Sequence, residues 1–206
     1  MARERIITAA RQRFVEDGYA AASMSGIADD AQVSRRTVYD AFGTKKELLM
    51  ALLGRMAPLP QHEFEAALDA AVGDAHAQLS IAIDFITRYY DGGTDVLAMV
   101  HAAAGADPDL AELDRMGESF RRMAQHPLVE DWDRRALLAA GLSRDNAADI
   151  LWSMTAPHVY RLFVSECGWT RDAFARWLRQ ALAAQLLAQS LEPGDDGDPP
   201  VSAALT

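Results

Sequence analysis

Apolar positions along this chain recur at spacings of three and four and almost never at two, so the pattern predicts helices throughout and leaves strands nowhere to sit. Between Arg3 and Asp17, Ile6, Ile7, Ala10, Phe14 and Val15 form one stripe, and Gly18 stops the helix they define. Ser23 or Ser25 is placed to cap a short helix running to Ala31, with Ile27, Ala28 and Ala31 inward, and Ser34 to cap a second from Arg35 to about Phe42. Only Gln32 and Val33 separate the two, so they must cross steeply, as in a helix-turn-helix. After Gly43, Thr44 and Glu47 have capping-box spacing ahead of Leu48, Leu49, Leu52 and Leu53, and Pro58 and Pro60 close that element.

Beyond Gln61 the pattern predicts longer helices over about 63–90, with a possible break near Gly73, then 94–104, 108–125, 128–140, 146–166 and 171–191. The expected architecture is all-α, a helix-turn-helix three-helix head plus a larger C-terminal helical domain, about nine helices. A reading head occupies residues 1–56, a larger ligand-binding and dimerisation domain 61–191, and a disordered acidic tail rich in Pro and Gly 192–206.

Charge sharpens this division. The chain carries a net −10, which by itself argues against a polyanionic partner. Through Arg55, however, nine Lys or Arg face seven Asp or Glu, whereas the remainder has eleven against twenty-three. Any anion-binding surface therefore belongs at the N-terminus.

No apolar run approaches the roughly 20 residues that span a bilayer, and the charged start leads into nothing like a signal segment, so a cytoplasmic protein without membrane association is expected. Cys167 is the only cysteine, which excludes an internal disulfide and suggests a buried or interface thiol rather than a redox sensor. The five histidines include no pair at three or four residues' separation, so neither a metal site nor a cofactor is expected. An enzyme reading has composition alone behind it, since the sequence holds no Gly-x-Ser-x-Gly elbow, His-Glu-x-x-His pair or phosphate-cradling glycine loop. A helical module docking protein through its helix-turn-helix is a further alternative, and it would show DNA affinity insensitive to salt.

The stretch Ser23-Met-Ser-Gly-Ile-Ala-Asp-Asp-Ala-Gln-Val-Ser-Arg-Arg-Thr-Val-Tyr-Asp-Ala-Phe-Gly-Thr-Lys-Lys-Glu-Leu-Leu resembles the DNA-binding signature of the TetR family, with Ile27-Ala28, Ala31, Val33-Ser34, Thr37, Tyr39, Phe42, Lys45 and Leu48 matching in order and spacing. The resemblance implies a homodimeric regulator of double-stranded operator DNA that answers to a small-molecule effector. In a helix so placed, Ser34, Arg35, Arg36 and Thr37 begin the segment that reaches base edges, where arginine pairs bidentately with guanine. Tyr39, Thr44 and Lys45 are placed to hold phosphates. Gln32 stands where the family usually has glycine, and a left-handed turn there would cost about 1 kcal/mol. Ala41 stands where many relatives have a histidine, and Asp40 adds an adverse charge.

The C-terminal half, around 149–164 and Gly168-Trp169, is similar to a recurring subgroup of the family that transfers no ligand. Candidate effector-pocket residues are Phe85, Tyr89, Met99, His101, Met116, Phe120, Met123 and Trp152, mostly apolar with few polar handles; ordinary core packing is the rival use of each. Candidate dimer-interface residues are Leu151, Met154, His158, Leu162, Phe174, Trp177, Leu178, Ala181 and Leu182, with intrachain core as their rival use.

Overall fold

The computed structural model describes residues 1–188. The helices of the head are α1 (Ala2–Glu16), α2 (Met24–Asp30), α3 (Arg35–Phe42) and α4 (Lys45–Gly54). The larger part comprises α5 (Gln61–Ala70), α6 (Ala75–Asp91), α7 (Thr94–Ala103), α8 (Pro108–Arg134), α9 (Arg144–Met154), α10 (Pro157–Arg161), a π-helical turn (Leu162–Glu166) and α11 (Arg171–Leu186). Among the described residues there is no strand, only one isolated antiparallel bridge between Leu138 and Leu187. The expected acidic tail, 192–206, lies outside the described residues.

The caps form where the sequence puts them. The Ser23 hydroxyl accepts from Gly26 N at 3.1 Å, and the Ser34 hydroxyl from Thr37 N at 3.0 Å, each satisfying one of the free donors of a first turn. The α1 stripe needs one correction, because Val15 is exposed and Ala9 is buried in its place.

One boundary that the sequence reading left open is now fixed, and two others differ from it. The chain breaks between α5 and α6, where Gly73 takes a φ of +94°. Helix α8 continues straight through Pro127, where a stop was expected, and ends at Arg134, well short of 140. The helix expected over 146–166 divides at Thr155-Ala156, because Ala156 precedes Pro157 and is held extended at φ −68°, ψ 144°. With two breaks and one fusion, eleven α-helices stand among the described residues.

Two cores result. One gathers the head, with Ile6, Ala10, Phe14, Ile27, Ala28, Val38, Leu48 and Leu49 among its buried members, and extends into Val96 and Val100 of α7 and Leu110 and Leu113 of α8. The head thus closes its core with side chains from beyond residue 61. The seam is tight: a Cβ at Gly93 would lie 1.9 Å from Met56 Cε. The other core joins α6, the second half of α8, and α9 to α11 around Trp132, Leu151, Phe174, Leu178 and Leu182. One of its buried polar ties is the Trp132 indole N–H, which donates to Gln78 Oε1 at 2.8 Å.

Candidate nucleic-acid interface

The turn between α2 and α3 decides how the reading helix stands. Gln32 N donates to Asp29 O at 3.1 Å and Val33 N to Ala28 O at 3.0 Å, the double bond pattern that closes a helix through a left-handed residue. Gln32 is that residue, at φ +53°, the region where a Cβ is strained. Val38 and Phe42 then bury one side of α3 against α1, α2 and α4. The opposite side is bare: Arg35, Arg36, Tyr39 and Asp40 are all exposed, Tyr39 at 53%.

Within that face the candidates differ. Arg36 lies 3.4 Å from Asp40 one turn on, with 89% of its side chain exposed, so the pair is weak and the guanidinium can turn to another acceptor. The Thr37 hydroxyl shares a 2.8 Å hydrogen bond with Ser34. Helix α1 adds two basic side chains that the motif reading did not single out. Arg3 lies over the Phe42 ring and donates to Ala41 O at 2.9 Å, and Arg5 Nη2 donates to Gln32 O at 3.4 Å. Their signal was present in the polar face of α1 but carried no position relative to α3.

At the start of α4 the chemistry is already occupied. Thr44 and Glu47 form the reciprocal capping box, Thr44 N donating to Glu47 Oε2 at 2.9 Å and Glu47 N to Thr44 Oγ1 at 3.1 Å. The Lys45 ammonium turns away from solvent, donating to Tyr19 O at 2.7 Å and Ala22 O at 3.0 Å, and sits 4.4 Å over the Tyr19 ring. In the free chain the amine thus ties α4 to the loop between α1 and α2. Burial, followed by the charges of Asp109 and Asp107, pushes the Tyr19 phenol up to about 12.

Ion pairs cross from head to body beside this surface. Arg11 holds Asp95 of α7 through two bonds, 3.2 and 2.9 Å, and Lys46 reaches both Glu112 and Asp109 of α8. The hydrogen bond from Lys46 sets the Glu112 carboxyl below its ordinary range, and Glu112 in turn raises the Lys46 amine.

The effector-pocket candidates are not gathered into one enclosed site. Met116, Phe120 and Met123 are exposed along α8, and His101 is exposed beside Asp114 at 3.3 Å. Phe85 stacks on Phe64 with ring centroids 4.2 Å apart, Met99 packs on the head core, and Tyr89 lies between both cores. Trp152 carries the guanidinium groups of Arg121 and Arg122 over its ring, at 5.0 and 4.4 Å. Helical period explains the scatter, since Met116, Phe120 and Met123 share the side of α8 opposite Leu128 and Trp132.

The interface candidates also divide. Leu151, Phe174, Leu178 and Leu182 are 0–2% exposed and belong to the body core, unavailable to a partner. Met154, His158, Leu162, Trp177 and Ala181 remain at or near the surface, and Ile150, Met154, Ala181, Ala184 and Gln185 line an open groove of about 550 Å³ between α9 and α11. Cys167, expected to be buried or at an interface, is exposed in the single chain.

An N-capped helix with one face buried and its leading arginines bare, set by a tight turn against a short supporting helix, defines a helix-turn-helix DNA-binding protein with an appended helical body. The family model described as "Bacterial regulatory proteins, tetR family" matches residues 6–52. The transcriptional regulator CymR of Pseudomonas putida is 30% identical over 149 residues, 72% of this chain and 71% of CymR. AlkX of Mycobacterium tuberculosis is 27% identical over 111 residues, 54% of this chain and about half of AlkX, at 52%. Among solved structures, the SmeT–triclosan complex superposes with a TM-score of 0.73 at 18% identity, covering 98% of this chain and 99% of SmeT. NalD, the secondary repressor of the MexAB-OprM multidrug efflux pump in Pseudomonas aeruginosa, superposes at 0.70 and 20% identity, covering 92% of this chain and 98% of NalD. The chain belongs to the TetR family and is a DNA-binding transcriptional regulator rather than an enzyme. Among the described residues, no helix is long and apolar enough to cross a membrane.

Proposed function

We propose that the protein is a homodimeric repressor that leaves its operator when a small molecule binds the body. The observation that carries the DNA side of this reading is the bare leading face of α3, with Arg35 and Arg36 exposed at the start of a helix locked by the Ser34 cap. Arg35, Arg36 and Thr37 read base edges, while Tyr39, Thr44 and the first N–H groups of α3 and α4 hold phosphates. Lys45 acts beneath them as a strut. The open apolar groove between α9 and α11 receives the second copy, giving the two-fold symmetry that half-sites about 34–36 Å apart demand.

Release is carried by α8. One end of this helix is paired to the head through Asp109, Glu112 and Lys46, and its middle packs against α9 through Arg121, Gln125 and Trp152. A ligand that favours a different seat for α8 shifts Glu112 against Lys46 and respaces the two α3 helices, with a coupling of about 1–3 kcal/mol and a 5- to 150-fold loss of DNA affinity. SmeT in complex with triclosan and the repressor NalD are the relatives in fold that support this reading.

The test is selection of bound duplexes from random DNA, followed by titration of the selected site with the protein and its Arg36→Ala variant. The variant is expected to lose about 1–3 kcal/mol of preference for its base and little on unrelated sequence. Equal losses on every sequence would refute the reading role. An effector that binds tightly and leaves operator affinity unchanged would refute the release scheme.

A further inference from the structure

Where α6, α8 and α9 meet, a hydrogen-bond network stops short of completion. Tyr90 of α6 is buried and its hydroxyl donates to Thr155 O at 2.8 Å. The Thr155 hydroxyl donates to Leu151 O at 2.6 Å, so its one proton is used; it then accepts from Gln125 Nε2 at 2.8 Å and from Arg121 Nη1 at 3.3 Å, which fills its lone pairs. This fixes the orientation of the Gln125 amide, because only its NH₂ end can serve an oxygen with no proton left to give. Three buried atoms in the cluster have no partner among the described residues: Arg121 Nε, Trp152 Nε1 and Gln125 Oε1. Two are donors and one is an acceptor. The Arg121 side chain is 10% exposed and its charge is balanced by Glu118, Nη2 to Oε2 at 2.5 Å.

A hydroxyl accepts two hydrogen bonds and donates one, which matches that remainder of two donors and one acceptor. A carboxylate matches it less well, because it offers no proton to Gln125 and brings a second negative charge beside Glu118 into a mostly buried site. The surroundings are aromatic, with Tyr90 and Trp152 flanking the cluster and Tyr89 6.0 Å from Tyr90 between ring centroids. We infer that the cluster of Arg121, Gln125 and Trp152 is the polar recognition point for an uncharged aromatic effector bearing a hydroxyl group. This rests on the reading that a small molecule binds the body, and it names the chemistry that molecule carries.

The test uses the full-length, ¹⁵N-labelled protein and four probes of similar size: phenol, anisole, toluene and benzoate. The indole N–H resonance of Trp152, assigned with Trp152→Phe, is followed during titration. Trp132 serves as the internal reference, since its N–H is already bonded to Gln78. Phenol is expected to move the Trp152 resonance saturably and to bind about 2- to 10-fold more tightly than toluene for each hydrogen bond gained. Anisole, which cannot donate, should rank below phenol, and benzoate should not bind. Gln125→Leu removes the donated bond alone and should bring phenol down to the affinity of anisole. The inference is overturned if phenol leaves Trp152 unmoved, as it would where ordered water completes the network, or if toluene or benzoate equals phenol. Operator release is scored separately with a chemically mixed library. An effector lacking a hydroxyl would sink this inference and spare ligand-gated repression. Phenol seated at Trp152, with no compound releasing DNA, would do the reverse.

Discussion

Replacing Gln32 by glycine should make the reading head more stable, although it removes a side chain. The residue sits at φ +53° inside a turn closed by the bonds from its own N–H and that of Val33. A left-handed conformation costs an L-residue about 1–2 kcal/mol, and glycine escapes that cost. Glycine also gives the unfolded chain more freedom, which takes back about 0.4–1 kcal/mol. The Gln32 side chain is exposed, and the bond from Arg5 reaches its carbonyl, so the substitution forfeits no packing and no named contact. The net expectation is a gain of about 0.5–1 kcal/mol, or roughly 2 °C in Tm for a chain of this size. Gln32→Ala keeps the Cβ and should gain nothing, so the contrast between the two variants isolates the backbone term. Thermal unfolding followed by circular dichroism reads the Tm, and amide exchange at Val33 reads the turn itself. If Gln32→Gly lowered Tm, or matched Gln32→Ala, the turn would not be under the strain that its dihedral implies.

Two other expectations test the contacts around the head. Lys45→Met should lower Tm and loosen amide exchange in the loop over 18–23, because Tyr19 O and Ala22 O lose their shared donor; unchanged stability with a flattened salt dependence of DNA binding would return Lys45 to a phosphate-contacting part. For Lys46 and Glu112, the depressed Glu112 contributes stability above its ordinary pKa of 4.5 and loses it as pH falls through the lowered folded value, while the raised Lys46 contributes below 10.5 and loses it as pH rises through its own. The pair is therefore complete between those limits. Glu112→Gln should flatten the acid limb of a Tm-against-pH profile, and an unaltered limb would show that the head–body contact carries none of it.

How far the sequence could be read depended on the range of the forces involved. The head was legible because caps, glycines and short apolar stripes act within a few residues, so Ser23, Ser34 and the Thr44–Glu47 box stand where local chemistry puts them. The body was less legible, and two prolines show why. Pro157 begins a helix, as the local rule for the residue before proline dictates although the apolar pattern ran one helix over 146–166, whereas Pro127 sits inside a helix where a stop was expected. An interior proline costs about 3 kcal/mol, yet continuing α8 buries Leu128, Val129 and Trp132, each contributing about 1.5–3 kcal/mol. Tertiary burial outweighs the local penalty, and it is invisible until the partner helices are known. The same limit applied to the site. Spacing placed Arg36 and Lys45 in one motif with like charges, but only the fold distinguishes a guanidinium left in solvent from an ammonium held by backbone carbonyls of the α1–α2 loop. Residue type thus marked the candidate surface. Which of its side chains are free to reach a partner depends on the hydrogen bonds they already make.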